Sequence, residues 1–167
     1  MLLQTFSLLD PAQCKNWHER ALQVLHDEHD GGGGSPPGQL MSELGSAVIE
    51  LLRGHQPLVE FAKPARFSGP VVNRFDSSSK LGRHRDVFQV PDQYGRTMLA
   101  DLAYSLVLSD SNSYQGGDFE LGDSDSVVRI RPNAGALIVY SGNTMHSVAP
   151  IEAGKRISVV GWIESLN

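Results

Sequence analysis

Hydrophobic positions along this 167-residue chain change their period near residue 70. Before that point they recur at helical spacing. In "DPAQCKNWHERALQVLHDEH" (10–29), Trp17, Ala21, Val24 and Leu25 fall on one face. Asp10 is placed to cap the first turn, and Pro11 suits the first helical position. A second helix is expected from about Gln39 to Arg53, with Met41, Leu44, Val48 and Leu51 or Leu52 inward and Gly54 as its end. Between the two lies "GGGGSPPG" (31–38), a flexible break without the Lys-Ser/Thr ending of a phosphate loop. Residues 2–8 read as a short first strand.

From residue 70 onward, short runs rich in Val, Leu and Ile alternate with turn clusters. "VVNRF", "RHRDVFQV", "MLADLAYSLVLS", "DFEL", "SVVRIR", "GALIVYSG" and "RISVVGWIES" read as strands, and "DSSS", "SDSNSYQGG", "GDSDS", "RPNAG" and "EAGK" as turns. Many short strands at regular spacing predict an antiparallel sandwich or barrel, with the two helices bracing one sheet from outside. The expected fold is mainly β with flanking helices. It forms one domain over 1–167, with 1–66 as helical support and 67–167 as the β core.

Composition narrows the partners. The formal net charge of −5 supplies no general basic surface, so nucleic acid is not expected. Arg74, Lys80, Arg83 and Arg85 do form a local basic group, either a solvated strand face or a mouth that attracts an anionic substrate. The single cysteine, Cys14, excludes an intramolecular disulfide and a thiolate cluster, and suits a reducing cytosol. "MLLQTFSLL" lacks the basic start of a signal peptide, and no run reaches the roughly eighteen apolar residues of a membrane span. A cytoplasmic protein without a membrane partner is therefore expected. His26 and His29, with Asp27 and Asp30, could hold a metal but read more simply as a solvated helix face. The sequence sets no oligomeric state.

The chemistry begins at "GRHRDVFQV" (82–90). As a kinase catalytic loop, His-Arg-Asp would need an Asn five residues after the Asp, where Pro91 stands, together with a Gly-rich loop and a DFG that the chain lacks. On a strand, by contrast, His84 and Asp86 project from one face and Arg85 from the other. An imidazole and a carboxylate on one face supply two metal ligands. His146, in "YSGNTMHSVAP", is the candidate third. Two His and one carboxylate make the facial triad of non-haem Fe(II) oxygenases, which leaves positions open for substrate and oxygen.

Ten residues after His146 comes Arg156, inside the apolar strand "RISVVGWI". An arginine pointing into a barrel needs an anion, and a guanidinium grips a carboxylate through two parallel bonds. Ser158 shares its face and can add a hydroxyl. The plainer alternative for Arg156 is a strand-end salt bridge with Glu152 or Glu164.

From about Leu40 to Ser165 the chain resembles the Fe(II)- and 2-oxoglutarate-dependent dioxygenases, in the prolyl-4-hydroxylase-like branch with its bacterial PKHD-type hydroxylases. "NRF" (73–75) resembles the strand entering the site, and "GRHRD" carries HxD. "DLAYSLVLSDSNSYQGGDFEL" resembles the family's strand, turn and Gly-Gly-acid hairpin. "PNAGALIVYSGNTMHSVAPIEAGKRISVVGWIES" resembles its closing block. The resemblance implies a double-stranded β-helix (jelly roll). It implies Fe(II) on His84, Asp86 and His146, with 2-oxoglutarate on the iron and its far carboxylate on Arg156 and Ser158. Oxygen is the co-reactant and ascorbate a candidate reductant. The implied activity is hydroxylation of a carbon centre in a small-molecule or peptidyl substrate, such as a prolyl or other amino-acid side chain, with 2-oxoglutarate decarboxylated to succinate. The alternative is a cupin-like jelly roll that binds a metal or small ligand without catalysis; cupins favour HxH with a following Glu, and that reading leaves Arg156 unexplained. Two departures stand out. Phe75 occupies a position where relatives often carry Tyr. Residues 31–38 replace a longer substrate-side region. Ser105 and Val107 are expected to share one strand face, with Tyr104 on the other. Tyr140 is a further candidate donor, though packing explains it more simply. Gly116 and Gly117 are expected to permit a turn or bulge.

Overall fold

A computed structural model describes residues 2–30, 39–79, 82–123 and 125–166. The elements in chain order are β1 (Leu3–Ser7), α1 (Pro11–Asp30), α2 (Gln39–Gly54), α3 (Gln56–Ala62), β2 (Pro64–Phe67), β3 (Val71–Phe75), β4 (Gln89–Pro91), β5 (Thr97–Leu99), β6 (Leu102–Val107), β7 (Tyr114–Gly116), β8 (Phe119–Leu121), β9 (Val128–Ile130), β10 (Ala136–Ser141), β11 (His146–Val148), β12 (Ile151–Gly154) and β13 (Arg156–Ser165). The Gly-rich segment 31–38 lies outside the described residues. Among the described residues, no helix is long and apolar enough to cross a membrane.

Helices α1 and α3 begin where the chain supplies its own caps. Asp10 Oδ1 accepts from the Gln13 backbone N–H at 2.8 Å, and Gln13 Oε1 accepts from the Asp10 N–H at 2.9 Å. This reciprocal pair satisfies two of the orphan donors of the first turn. Ala21 and Val24 of α1 are buried, and Trp17 and Leu25 pack against the same core. On α2, Leu44, Val48 and Leu52 are buried while Met41 and Leu51 are partly covered, which settles the Leu51/Leu52 alternative for Leu52. A third helix, α3, was not expected. His55 caps it by accepting from the Leu58 N–H, proline stands in its first turn, and Lys63 ends it in the left-handed region at φ 43°. Seven residues are too few for a period to show.

The main sheet runs β1-β10-β6-β13-β2, with β3 also paired to β13. All of these pairings are antiparallel. The ten-residue β13 spans two neighbours on one side, β3 against Arg156–Val160 and β2 against Ile163–Ser165. One face of the sheet carries Leu102, Leu106, Leu137, Val139, Ile157 and Val159 into a core shared with α1, α2 and α3. Each such side chain contributes about 1.5–3 kcal/mol on burial. The other face closes over a second apolar cluster of Ala103, Val107, Phe119, Leu121, Ile138 and Tyr140. Three small sheets, β11-β8-β9, β12-β7 and β4-β5, complete the structure. This is the expected β fold of the jelly-roll type, braced by three helices rather than about two.

Several expected strands differ. "RHRDVFQV" is not a strand: only β4 at its end is paired, and His84 makes an isolated bridge to His146. "MLADLAYSLVLS" is interrupted after Leu99. Asp101 turns the chain there; its carbonyl accepts from Gly142 N and its Oδ2 from Ser165 N. "SVVRIR" contracts to β9, and β7 lies in a stretch that reads as a turn. Gly116 and Gly117 do form the irregular corner expected of them, at φ 72° and 73°, where the β12–β7 register shifts between Ile151 and Ala153. A Cβ on Gly116 would stand 2.1 Å from the Pro150 carbonyl oxygen, which is backbone and cannot rotate away. Gly116→Ala should therefore destabilise the protein by about 2 kcal/mol or more, combining left-handed strain with that clash. Urea denaturation of the variant against wild type measures it, and an unchanged midpoint would contradict the corner geometry.

Candidate active site

Strand alternation on β13 builds one end of the site. Ile157, Val159 and Ile163 face the helices, while Arg156, Ser158, Val160 and Trp162 line a cavity of about 200 Å³ on the opposite face. The cavity is bounded by Asn73 and Phe75 of β3, Ala103 and Ser105 of β6, Tyr140 of β10, and His146 and Val148 of β11, and the segment 82–88 brings in His84 and Asp86.

His84, Asp86 and His146 converge as expected, with one ligand atom from each lying within 4.8 Å of the others. Asp86 Oδ1 is 3.6 Å from His84 Nε2 and 3.8 Å from His146 Nε2. The convergence does not come from strand alternation. The backbones of His84 and His146 exchange two hydrogen bonds, N–H to carbonyl in both directions, at 3.0 and 2.9 Å. That bridge sets the two imidazoles side by side, with ring centroids 4.4 Å apart.

The atoms not aimed at the cluster centre are each held by the protein. His84 Nδ1 lies 2.9 Å from the Gly82 carbonyl and His146 Nδ1 lies 3.0 Å from the Thr144 carbonyl. A carbonyl can only accept, so both Nδ1 atoms carry the proton and both Nε2 atoms present lone pairs. Asp86 Oδ2 accepts from the indole N–H of Trp162 at 3.0 Å, which leaves Oδ1 for the centre. Burial holds His146 below the ordinary imidazole range, against the opposing pull of the Thr144 carbonyl and Asp86. Its neutral, ligating form is therefore the one favoured near neutrality. Phe119 and Tyr140 pack on its ring at 5.9 and 5.0 Å. The Tyr140 phenol is driven above its usual range, by burial first and by the Asp86 charge second.

At the other end, Arg156 is 1 % exposed and Ser158 is fully buried. Arg156 Nε and Nη2 and Ser158 Oγ have no hydrogen-bond partner. Neither proposed salt bridge forms. Glu164 instead grips Arg66, with Nη2 to Oε1 at 2.8 Å, and accepts from the Leu99 N–H. Glu152 is exposed on β12. Burial lowers the pKa of Arg156, and the neighbouring Tyr114 phenol works the other way; a guanidinium stays charged through such a shift. The Phe75 ring centroid lies 6.0 Å from Cζ, so an aromatic ring borders the guanidinium. Ser105 lines the cavity and Val107 the apolar cluster beneath it. Tyr104 faces the helices as expected, its hydroxyl over Gly161, where a Cβ would come within 2.5 Å.

The described members of the local basic group are each engaged by a partner. Arg74 lies 3.5 Å from Asp76. Arg83 bonds the Gly122 carbonyl. Arg85 bonds the Asn143 carbonyl and Asp123. Lys80 and the side chains of 27–30 lie outside the described residues. Sequence reasoning missed Trp162. It was within reach, six positions after Arg156 on the same strand parity, with an indole N–H that needs an acceptor. Arg83 and Arg85 were read as members of a basic group, and their partners, distant in sequence, were not foreseen.

A jelly roll thus carries a His-Asp-His cluster that could hold a metal at one end of its cavity and a buried, unpaired arginine at the other. The chain belongs to the 2OG-Fe(II) oxygenase superfamily, whose family model matches residues 70–164. It is 36 % identical over 121 residues to a PKHD-type hydroxylase of Maricaulis maris, covering 72 % of this chain and 53 % of that protein. The chain thus spans about half the length of such relatives. The fold is similar to a Pseudomonas putida prolyl-4-hydroxylase (TM-score 0.61, 19 % identity, 98 % of this chain and 88 % of that one). It is also similar to a non-haem α-ketoglutarate-dependent carbocyclase from nogalamycin biosynthesis (TM-score 0.69, 16 % identity, 97 % and 79 %).

Two outcomes follow. Arg156→Met removes a buried charge that no carboxylate pairs, so the variant without added dicarboxylate should be more stable than wild type by about 1–3 kcal/mol. Chemical denaturation measures this, and a loss of stability would reveal a structural partner for Arg156. Trp162→Phe keeps the ring packing but frees Asp86 Oδ2, so Mn(II) affinity should fall roughly 10–100-fold with an unchanged melt. Isothermal titration with Mn(II) reads the change.

Proposed function

We propose that this chain is an Fe(II)- and 2-oxoglutarate-dependent dioxygenase that hydroxylates a carbon centre. In this reading His84, Asp86 and His146 hold the iron, and Arg156 with Ser158 holds the far carboxylate of 2-oxoglutarate. One observation carries the reading: a fully buried guanidinium with two unpartnered nitrogens, on the same strand face as the tryptophan that bonds the cluster's carboxylate. Two imidazole nitrogens and one carboxylate oxygen suit Fe(II), and the orphaned Nε, Nη2 and Oγ suit a carboxylate. Family membership supplies the same pairing of iron and 2-oxoglutarate.

Iron bound there supplies the oxygen chemistry that couples decarboxylation of 2-oxoglutarate to substrate hydroxylation. The residues of the chain orient and insulate. Arg156 and Ser158 anchor the dicarboxylate at the end remote from the metal. Val71, Ala103, Val148 and Val160 wall the space between the two ends with apolar surface that excludes water. Trp162 keeps Asp86 in one rotamer. The substrate approaches beside Val71, which lines the cavity and is 44 % exposed; this apolar lip suits a prolyl or other amino-acid side chain, peptidyl or free. A cupin-like binder without turnover would leave the charge on Arg156 without a function, and nothing observed favours it.

His84→Ala, Asp86→Ala and His146→Ala should each abolish Fe(II)-dependent succinate formation from 2-oxoglutarate, because each removes one of three ligands. Near-wild-type turnover in any one would remove that residue from the iron. Arg156→Lys should keep metal binding but raise the apparent Michaelis constant for 2-oxoglutarate on the order of tenfold or more, because an ammonium cannot form the two parallel bonds of a guanidinium. Anaerobic titration of the Fe(II) protein with 2-oxoglutarate checks it, and a curve overlying wild type would take Arg156 out of the cosubstrate site.

A further inference from the structure

Two arginines flank the first histidine of the cluster, and neither is used by the chemistry proposed above. We propose that Arg83 and Arg85 are positioning residues of the metal site, latching an otherwise irregular ligand segment to the turns beneath it; this inference rests on the metal-site reading. Residues 82–88 carry two of the three cluster groups yet belong to no strand. Their described backbone hydrogen bonds are the His84–His146 pair and that from Ala100 N to the Phe88 carbonyl. What the ladder omits, the arginines supply. Arg83 donates to the carbonyl of Gly122 and lies 4.0 Å from Glu120. Arg85 donates to the carbonyl of Asn143, in the turn that leads into His146, and to Asp123 Oδ1 at 2.8 Å.

The receiving turns are themselves fixed. Gly122 N–H donates to the Met145 carbonyl, one residue before His146. Gly122 sits at φ 111°, where a Cβ would meet the Ser126 carbonyl at 2.0 Å. The two guanidiniums thus join the segment bearing His84 and Asp86 to the turn that leads into His146 and to the turn after β8, which is itself bonded to Met145. A charged donor on a carbonyl fixes backbone position in a way that an exposed ion pair alone does not. Lysine, a single point of charge, cannot span a carbonyl and a carboxylate together.

The test is Co(II) binding, followed by its visible absorption and by calorimetry on the full chain without 2-oxoglutarate. Arg85→Met should weaken Co(II) binding on the order of tenfold and alter its visible band, with the metal-free melt held near wild type; Arg83→Met should act in the same direction and Arg85→Lys should restore only part. A melt that falls while Co(II) affinity and spectrum stay put would assign the arginines to stability alone and overturn the proposal. So would arginine variants that bind Co(II) as wild type does. If the methionine variants do not fold, Asp123→Asn at the exposed end of the latch decides. Wild-type affinity should weaken as salt rises and the Asn variant should lose that dependence; an identical salt response in both proteins overturns the proposal. Wild-type protein that binds no Co(II) would overturn the metal-site reading itself, a result distinct from all of these.

Discussion

The register of β13 is the constraint on which the rest depends. Its odd-numbered side chains complete the core under the helices, and its even-numbered ones supply Arg156, Ser158 and Trp162 to the cavity. A slip by one residue would bury the site under α1–α3 and turn Ile157 and Val159 into the cavity. Several contacts hold the register. Ile157 N–H donates to Ser109 Oγ at 2.7 Å and Trp162 N–H to Ser68 Oγ at 2.9 Å. Gly161 leaves room for the Tyr104 hydroxyl at the one point where a side chain would collide with it. Antiparallel neighbours on both sides do the remainder.

This strand also carries the main energetic conflict in the fold. A buried guanidinium without an anion is destabilising, and Arg156 is 1 % exposed with two nitrogens unpaired. Apolar packing on the opposite face of the same strand offsets it. Fixing the charge on a central strand rather than a loop means that little reorganisation is needed when an anion arrives, which is how a pre-formed site gains affinity. The two ends of the cavity are therefore built differently. The arginine end is a central-strand position, and the end with His84 and Asp86 is an irregular segment tied by a backbone bridge and an indole hydrogen bond.

That difference explains what could be read from sequence. Helix faces, the inward parity of Arg156 and Ser158, and the Gly116–Gly117 corner follow from local periodicity and steric rules, and the structure shows them. His84, Asp86 and His146 were legible by chemistry: few residue types ligate metals, and His146 is the only histidine after His84. The reason first given for His84 and Asp86 sharing a face, strand alternation, does not apply, since 83–88 are not paired as a strand. A backbone bridge and an indole hydrogen bond perform that task, and neither leaves a periodic trace. β7, β11 and β12 are three or four residues long, too short to separate from turns. The basic residues at 83 and 85 read as a charged surface because the carbonyls they bond carry no sequence signature.

The contrast between the two ends also bears on which part of the site can vary. Arg156, Ser158 and Trp162 cannot shift without disturbing the helix-side core, because each is directly bonded along the strand to a residue of that core, Ile157, Val159 or Ile163. The segment from Gly82 to Phe88 touches that core at none of its residues and ends in two exposed apolar side chains, Val87 and Phe88. Changes at Val87 and Phe88 leave β13 in place. The arginine end of the cavity is thereby tied to the fold, whereas Val87 and Phe88, outside that core and exposed, can change at little cost to it.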